Sequence, residues 1–240
     1  MNKIFKYGIV LPCCCLLLSG CDDGKIYPDD SIDAGRTVTI QVSFTGVRAY
    51  PDYNMLTFAA FGEDAHEPLL TQRLSRPTEG RVEEYTLMGL PEGTKAVGIA
   101  LVSRGQTLIY KYCSVDIDTS VKETILPKTT VNLAAYDRIQ EQVFDAHCIA
   151  CHGKSSGQPA GNLFLTEGKS YSALVNVKAG APVANEKPYV TPGEPDNCFL
   201  MDILSENILG HNHTDIFNGS ETTEVNNLLN AWINNGAKEE

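Results

Sequence analysis

The 240-residue sequence predicts two domains in series, an antiparallel β-sandwich over residues 36–133 and an all-α domain over residues 134–240. Two observations carry this. From Arg36 apolar and polar residues alternate with the period of two of half-buried strands, and after Leu133 the spacing becomes helical. The length suits one large domain or two small ones.

Residues 1–20 read as a leader. Lys3 and Lys6 precede an apolar run from Gly8 to Leu18, which fits a signal peptide and is too short to span a bilayer. Leu18-Ser19-Gly20-Cys21 resembles the lipobox of bacterial lipoproteins, a family that acylates the cysteine and cleaves before it. The resemblance implies that Cys13, Cys14 and Cys15 leave with the leader and that Cys21 carries lipid. The chain would then be anchored in the cell envelope, on the periplasmic or surface face of the outer membrane. An ordinary secretory signal ending near Cys21 is the alternative. Residues 21–35 follow as a tether with Asp22, Asp23, Asp29, Asp30 and Asp33. Acids directly after the lipidated cysteine resemble the surface-export signals of Bacteroidetes lipoproteins, although such a tether is also simply a solvated linker.

In the first domain Val38, Ile40, Val42 and Phe44 alternate with Thr37, Thr39, Gln41 and Ser43. Further strands are expected at Met55 to Phe61 and at Val82 to Leu87, the latter ending at the turn Gly89-Leu90-Pro91-Glu92-Gly93-Thr94. Lys95–Ser103 and Thr107–Val115 read as a hairpin around Arg104-Gly105-Gln106, and a last strand as Val121–Ile125 or Thr130–Leu133. Short strands in this number resemble immunoglobulin-like or transthyretin-like sandwiches. His66, in Glu63-Asp64-Ala65-His66-Glu67, reads as a solvated loop, and no catalytic cluster stands out.

In the second domain Tyr136, Ile139, Val143 and Phe144 share a helix face leading into Cys148-Ile149-Ala150-Cys151-His152. Cys-x-x-Cys-His is the attachment signature of c-type haem. Thiols at i and i+3 lie on one helical side, where each can add across one haem vinyl group, and the adjacent imidazole turns to the iron. A thioredoxin-like pair would follow a strand near a βαβ unit. Zinc could use Cys148, Cys151, His211 and His213, but His-x-His is a poor match to the usual spacing. Ile139-Gln140-x-x-Val143-Phe144 before Cys148-x-x-Cys151-His152-Gly153 resembles the opening of class I cytochrome c domains. More narrowly, it is similar to planctomycete-type cytochrome c-like domains of Bacteroidetes lipoproteins. The resemblance extends through Gly161-Asn162-Leu163-x-Leu165-Thr166-x-Gly168-x-Ser170-Tyr171, Val190-x-Pro192-Gly193-x-Pro195-x-Asn197 and Leu229-x-x-Trp232-Ile233-x-x-Gly236-Ala237. It implies a cytochrome c-like all-α fold with one covalent haem on Cys148 and Cys151, His152 as iron ligand, and crossing first and last helices. Pro195-Asp196-Asn197 opens an expected helix from Cys198 to Leu204. Ser220 reads as the N-cap of a final helix whose Val225, Leu228, Leu229, Trp232 and Ile233 form an apolar face, with Glu221 and Glu224 complementing the dipole.

The family's distal methionine comes from a Met-Pro segment before the last helix. This chain has Gly210-His211-Asn212-His213-Thr214-Asp215 there instead. His213 is the first choice for the distal ligand, ahead of His211 and Met201, with an open position remaining. Histidine is a stronger donor than thioether and favours ferric iron, so a bis-histidine site has a lower potential than a His/Met one. Six-coordinate iron suits electron transfer rather than turnover, and the chain reads as a carrier rather than an enzyme. A di-haem peroxidase would need two Cys-x-x-Cys-His motifs, and this sequence has one. The other reading is a surface lipoprotein that binds a glycan or protein, with a degenerate scaffold lacking haem. Export also makes a Cys113–Cys198 disulfide conceivable.

The chain holds 19 Lys+Arg against 30 Asp+Glu, a net charge of −11, a poor match for nucleic acid. Residues 134–240 alone hold 6 bases and 14 acids, a net of −8, which implies a basic redox partner and an encounter weakened by salt.

Overall fold

The computed structural model describes residues 35–64, 66–153 and 157–239. The leader, Cys21 and the tether before Gly35 lie outside the described residues. Alternation in the first half builds two β-sheets. In the first sheet, β1 (Thr37–Thr45) is flanked on one side by β4 (Val82–Met88), antiparallel, with Val38 opposite Leu87 and Ile40 opposite Tyr85. On its other side lie β8 (Glu123–Ile125) along Thr37–Thr39 and β9 (Thr129–Asn132) along Val42–Thr45, both parallel to β1. Pro127 lies between these two short strands, where a residue without an N–H breaks a ladder at least cost.

The second sheet has the order β3 (Pro68–Arg73), β2 (Met55–Phe61), β5 (Ala96–Val102), β6 (Leu108–Lys111), all antiparallel, and β7 (Val115–Asp116) continues alongside β5. The hairpin at Arg104-Gly105-Gln106 forms as expected, with the Ser103 N–H donating to the Thr107 carbonyl at 2.8 Å. The expected strand Thr107–Val115 is broken at Tyr112–Ser114. There the Cys113 carbonyl crosses Gly98 so closely that a Cβ on Gly98 would sit 1.9 Å from it, so only glycine fits.

The expected fold class is corrected in two respects. The first sheet is mixed rather than antiparallel, because the chain returns from the second sheet to the far side of β1 travelling in the same direction. Nor is there a separate all-α domain. Residues 34–240 form one compact unit, and one apolar core runs without a break from Val38 and Phe58 between the sheets to Phe144, Leu228 and Trp232 among the helices. The helical part also carries extended pairing, with bridges at Val175–Val190 and Lys178–Pro188.

The helices are α1 (Tyr136–Ile139), a π-helical segment (Gln140–Cys148), α2 (Ile149–His152), α3 (Ser170–Leu174), α4 (Phe199–Ser205) and α5 (Ser220–Asn234). The first three run on as one rod. Contacts five residues apart accompany its wide turns: the Gln140 amide donates to Asp145 at 2.7 Å and Cys148 Sγ faces the Val143 carbonyl at 3.5 Å. Rod and final helix meet at Tyr136 and Trp232, whose rings lie 5.2 Å apart. Ser220 is the first residue of α5 rather than its cap; Gly219 holds the cap position without a side-chain bond.

Glu224 is not a dipole partner on the surface. It is 1 % exposed and pairs with the fully buried Arg138 at 3.2 Å. Arg138 also donates to the Ala49 and Leu133 carbonyls at 2.8 and 3.0 Å and to Gln142 at 2.9 Å. Glu224 accepts from the backbone N–H groups of Tyr53 and Asn54 at 3.0 and 2.9 Å, and from the Asn54 and Gln142 amides. Burial opposes the charge on Glu224, but the Asn54 N–H, the Arg138 guanidinium and the two amides outweigh it and hold the carboxyl below its ordinary range. A carboxyl depressed in the folded state stabilises above its unfolded pKa and loses that contribution as pH falls through the folded value.

Removing one partner leaves the other charged and buried, so Arg138→Leu should cost about 3–5 kcal/mol in urea denaturation. Trp232 fluorescence and far-ultraviolet dichroism should report one coincident transition, since sheets and helices share a core. Stability should also fall as pH drops below the ordinary glutamate value of 4.5, and Glu224→Gln should flatten that fall.

Candidate functional site

Between the rod and the segments after it lies a cavity of about 570 Å³, within the roughly 300–1,000 Å³ typical of small-molecule and cofactor sites. Leu163, Phe199, Leu200, Ile203 and Leu209 give it largely apolar walls. Cys148, Cys151 and His152 line one side, and His211 and His213 enter from the loop before α5. The described structure has a second, polar groove of about 480 Å³ along Ala184–Pro188, which contains neither cysteine nor histidine.

The rod sets the first three residues. Gly153 ends it, and a Cβ there would lie 2.7 Å from the Ile149 carbonyl. His152 turns its Nδ1 to the Leu163 carbonyl at 3.2 Å, and His213 turns its Nδ1 to the His211 carbonyl at 2.9 Å. A carbonyl only accepts, so each Nδ1 is the donor, and the neutral tautomer that makes this bond has a bare Nε2, the arrangement that metal-binding histidines use. The two rings have centroids 6.4 Å apart and planes 37° apart.

Electrostatics favour neutral donors. Burial lowers the pKa of His213, against the opposing bond to the His211 carbonyl, and the neighbouring His211 and His152 lower it further. Burial pushes the Cys148 thiol up to about 12, with Cys151 adding to the shift. Cys151 is exposed.

Other expected residues fall in different places. Met201 packs against the core from α4 and is absent from the cavity wall. His211 reaches the wall with its ring 5.2 Å from that of His213. Cys113 and Cys198 are both free, and Cys198 Sγ instead accepts from the Thr191 N–H at 3.1 Å. His66 is exposed in a loop. Sequence reasoning passed over His147, which lines the cavity, pairs with Glu221 at 3.3 Å and packs edge-on against Phe217. No periodic signal marks it, since its partner is 74 positions away.

These residues fit a c-type haem. Among the described residues no three His, Cys, Asp or Glu side chains converge as a bare metal ion would need. A porphyrin brings four nitrogen donors of its own and requires at most two from the protein, which His152 and His213 could supply. No protein-family model, curated protein or solved structure matches this chain.

In the haem-free protein the half-buried Cys148, its thiol pushed up, should react with iodoacetamide at pH 8 roughly tenfold or more slowly than the exposed Cys151, because the thiolate is the nucleophile. Peptide mass mapping of the alkylated cysteines checks this.

Proposed function

We propose that the chain is an envelope-anchored, mono-haem c-type cytochrome that carries single electrons. The observation that supports this best is the convergence of His152 and His213, ring centroids 6.4 Å apart, on one largely apolar cavity that Cys148 and Cys151 also line. Bound haem would supply an iron that alternates between ferric and ferrous states. Cys148 and Cys151 would hold the porphyrin covalently, and His152 and His213 would donate to its iron.

The chain's residues define the rest of the role. The Leu163 and His211 carbonyls fix both rings and raise their donor strength. Burial keeps His213 neutral, so that no proton competes for its Nε2. Apolar walls exclude water, and with two imidazole donors they favour electron transfer at low potential over turnover of a substrate. The Arg138–Glu224 pair ties the rod to the sheets, limiting the movement of His152 between redox states.

Lipid on Cys21 would hold the molecule at the envelope, and the net −8 of residues 134–240 favours a basic redox partner over nucleic acid. Among the described residues no helix is long and apolar enough to cross a membrane.

Protein produced with a cytochrome c maturation system should give a low-spin, six-coordinate spectrum that carbon monoxide leaves unchanged. His213→Ala should become high-spin and bind carbon monoxide, while Met201→Ala should not differ from wild type. An unchanged low-spin spectrum in His213→Ala would exclude it as the donor. Electron transfer to a basic partner should slow as ionic strength rises to about 0.1 M and beyond, where exposed charges are screened over about 10 Å.

A further inference from the structure

The described chain begins at Gly35, and the surroundings of that point are unusually apolar. Among the described residues nine large apolar side chains are exposed. Three of them, Met88 at 60 %, Val121 at 41 % and Ile125 at 76 %, flank the start of β1, and a fourth, Val115 at 37 %, lies on β7, four residues before the Thr119 carbonyl that Arg36 bonds. Met88 is opposite Thr37 on β4, and Ile125 is beside Thr39 on β8. Val121 directly precedes Lys122, whose carbonyl accepts from the Thr37 N–H at 2.8 Å. Val115 is paired with Val97 on β7, and the next loop residue of that strand end, Ile117, donates to the Lys95 carbonyl at 2.9 Å. Arg36 binds these pieces together, donating to the Pro91 carbonyl at 2.6 Å and to the Thr119 carbonyl at 3.3 Å.

The rod that leads to the candidate site is anchored at the other end. β1 runs nine residues, roughly 30 Å. Its far end leads into Val47–Ala49, whose Ala49 carbonyl accepts from Arg138 on the haem-motif rod. At the same end Tyr53 and Asn54, just before β2, bind Glu224 on α5.

We propose that the Gly35 end rests on the bilayer surface, with Met88, Val115, Val121 and Ile125 in the headgroup region, so that the two sheets hold the haem cavity away from the membrane. This rests on the reading of Cys21 as the lipidated residue. The 14 residues from Cys21 to Gly35 span at most about 50 Å even when fully extended. A tether that short holds this end at high effective concentration beside the lipid, so a patch too small to bind by itself is enough to set orientation. Charge at this end is Arg36, Lys95 and Lys122 against Glu92, Asp116, Asp118 and Glu123, to which the tether adds Lys25 against five aspartates, and this net acidity fits a zwitterionic surface rather than an anionic one.

The test uses lipidated, haem-loaded full-length protein in phosphatidylcholine vesicles with and without brominated acyl chains. Tryptophan is placed singly by Ile125→Trp, Met88→Trp and Val82→Trp. Val82 is 42 % exposed on the same strand as Met88 but six residues, roughly 20 Å, further from the chain entry. The ratio of emission in the two vesicles cancels energy transfer to haem, and buried Trp232 supplies a constant background. Ile125→Trp and Met88→Trp should lose at least about half of their added emission in brominated lipid, and Val82→Trp almost none. Equal quenching at all three positions, meaning the sheet lies flat, overturns the proposal, as does quenching at none. Flotation separates the two readings: wild type that fails to float with vesicles removes the lipid anchor and this orientation with it, whereas a floating but unquenched protein removes the orientation alone.

Discussion

A guanidinium and a carboxylate buried against each other make the two halves of this chain one body. Arg138 belongs to the rod that carries Cys148, Cys151 and His152, and Glu224 belongs to the last helix. Between them they bind the Ala49 carbonyl and the Tyr53 and Asn54 N–H groups in the chain segments after β1. Either charge alone at that depth would be costly, so the pair is stable only when rod, last helix and sheet connections are all in place. The apolar core continues through the same junction, from Phe58 to Phe144 and Trp232. The sheets therefore act as the foundation of the helical part rather than as a separate module joined by a linker.

That foundation explains the geometry of the cavity. Fixing the rod fixes His152, and fixing α5 limits the loop that brings the His213 ring to within 6.4 Å of it. Backbone carbonyls then orient both imidazoles, and burial keeps His213 neutral. The π-helical stretch lies between Arg138 and Cys148, so its width determines how far the thiols are turned from the ion pair.

Much of this was legible as local pattern. Alternation at Val38, Ile40, Val42 and Phe44 marks β1, the Arg104-Gly105-Gln106 turn marks the β5–β6 hairpin, and Cys148-x-x-Cys151-His152 marks part of the cavity lining. His213 stands out by its position in the chain, and its ring centroid lies 6.4 Å from that of His152. The direction of β8 and β9 was not legible, because parallel and antiparallel partners share the same alternation. β3 was missed because most of its residues are at least partly exposed and it has no apolar face to alternate. The continuity of sheets and helices was missed because it depends on polar residues that pattern reading assigns to the surface. One signal was available: Glu224 stands four residues before Leu228 and eight before Trp232, on the apolar stripe of α5, where a carboxylate needs a buried partner.

The central claim is that Cys148 and Cys151 bond one haem within this cavity, and intact mass spectrometry tests it most directly. Full-length protein produced with a cytochrome c maturation system should be heavier by one haem after denaturation and acid extraction, with the added mass on the peptide that contains both thiols. Unmodified mass on that peptide, or pigment that leaves with the extracting acid, would contradict it.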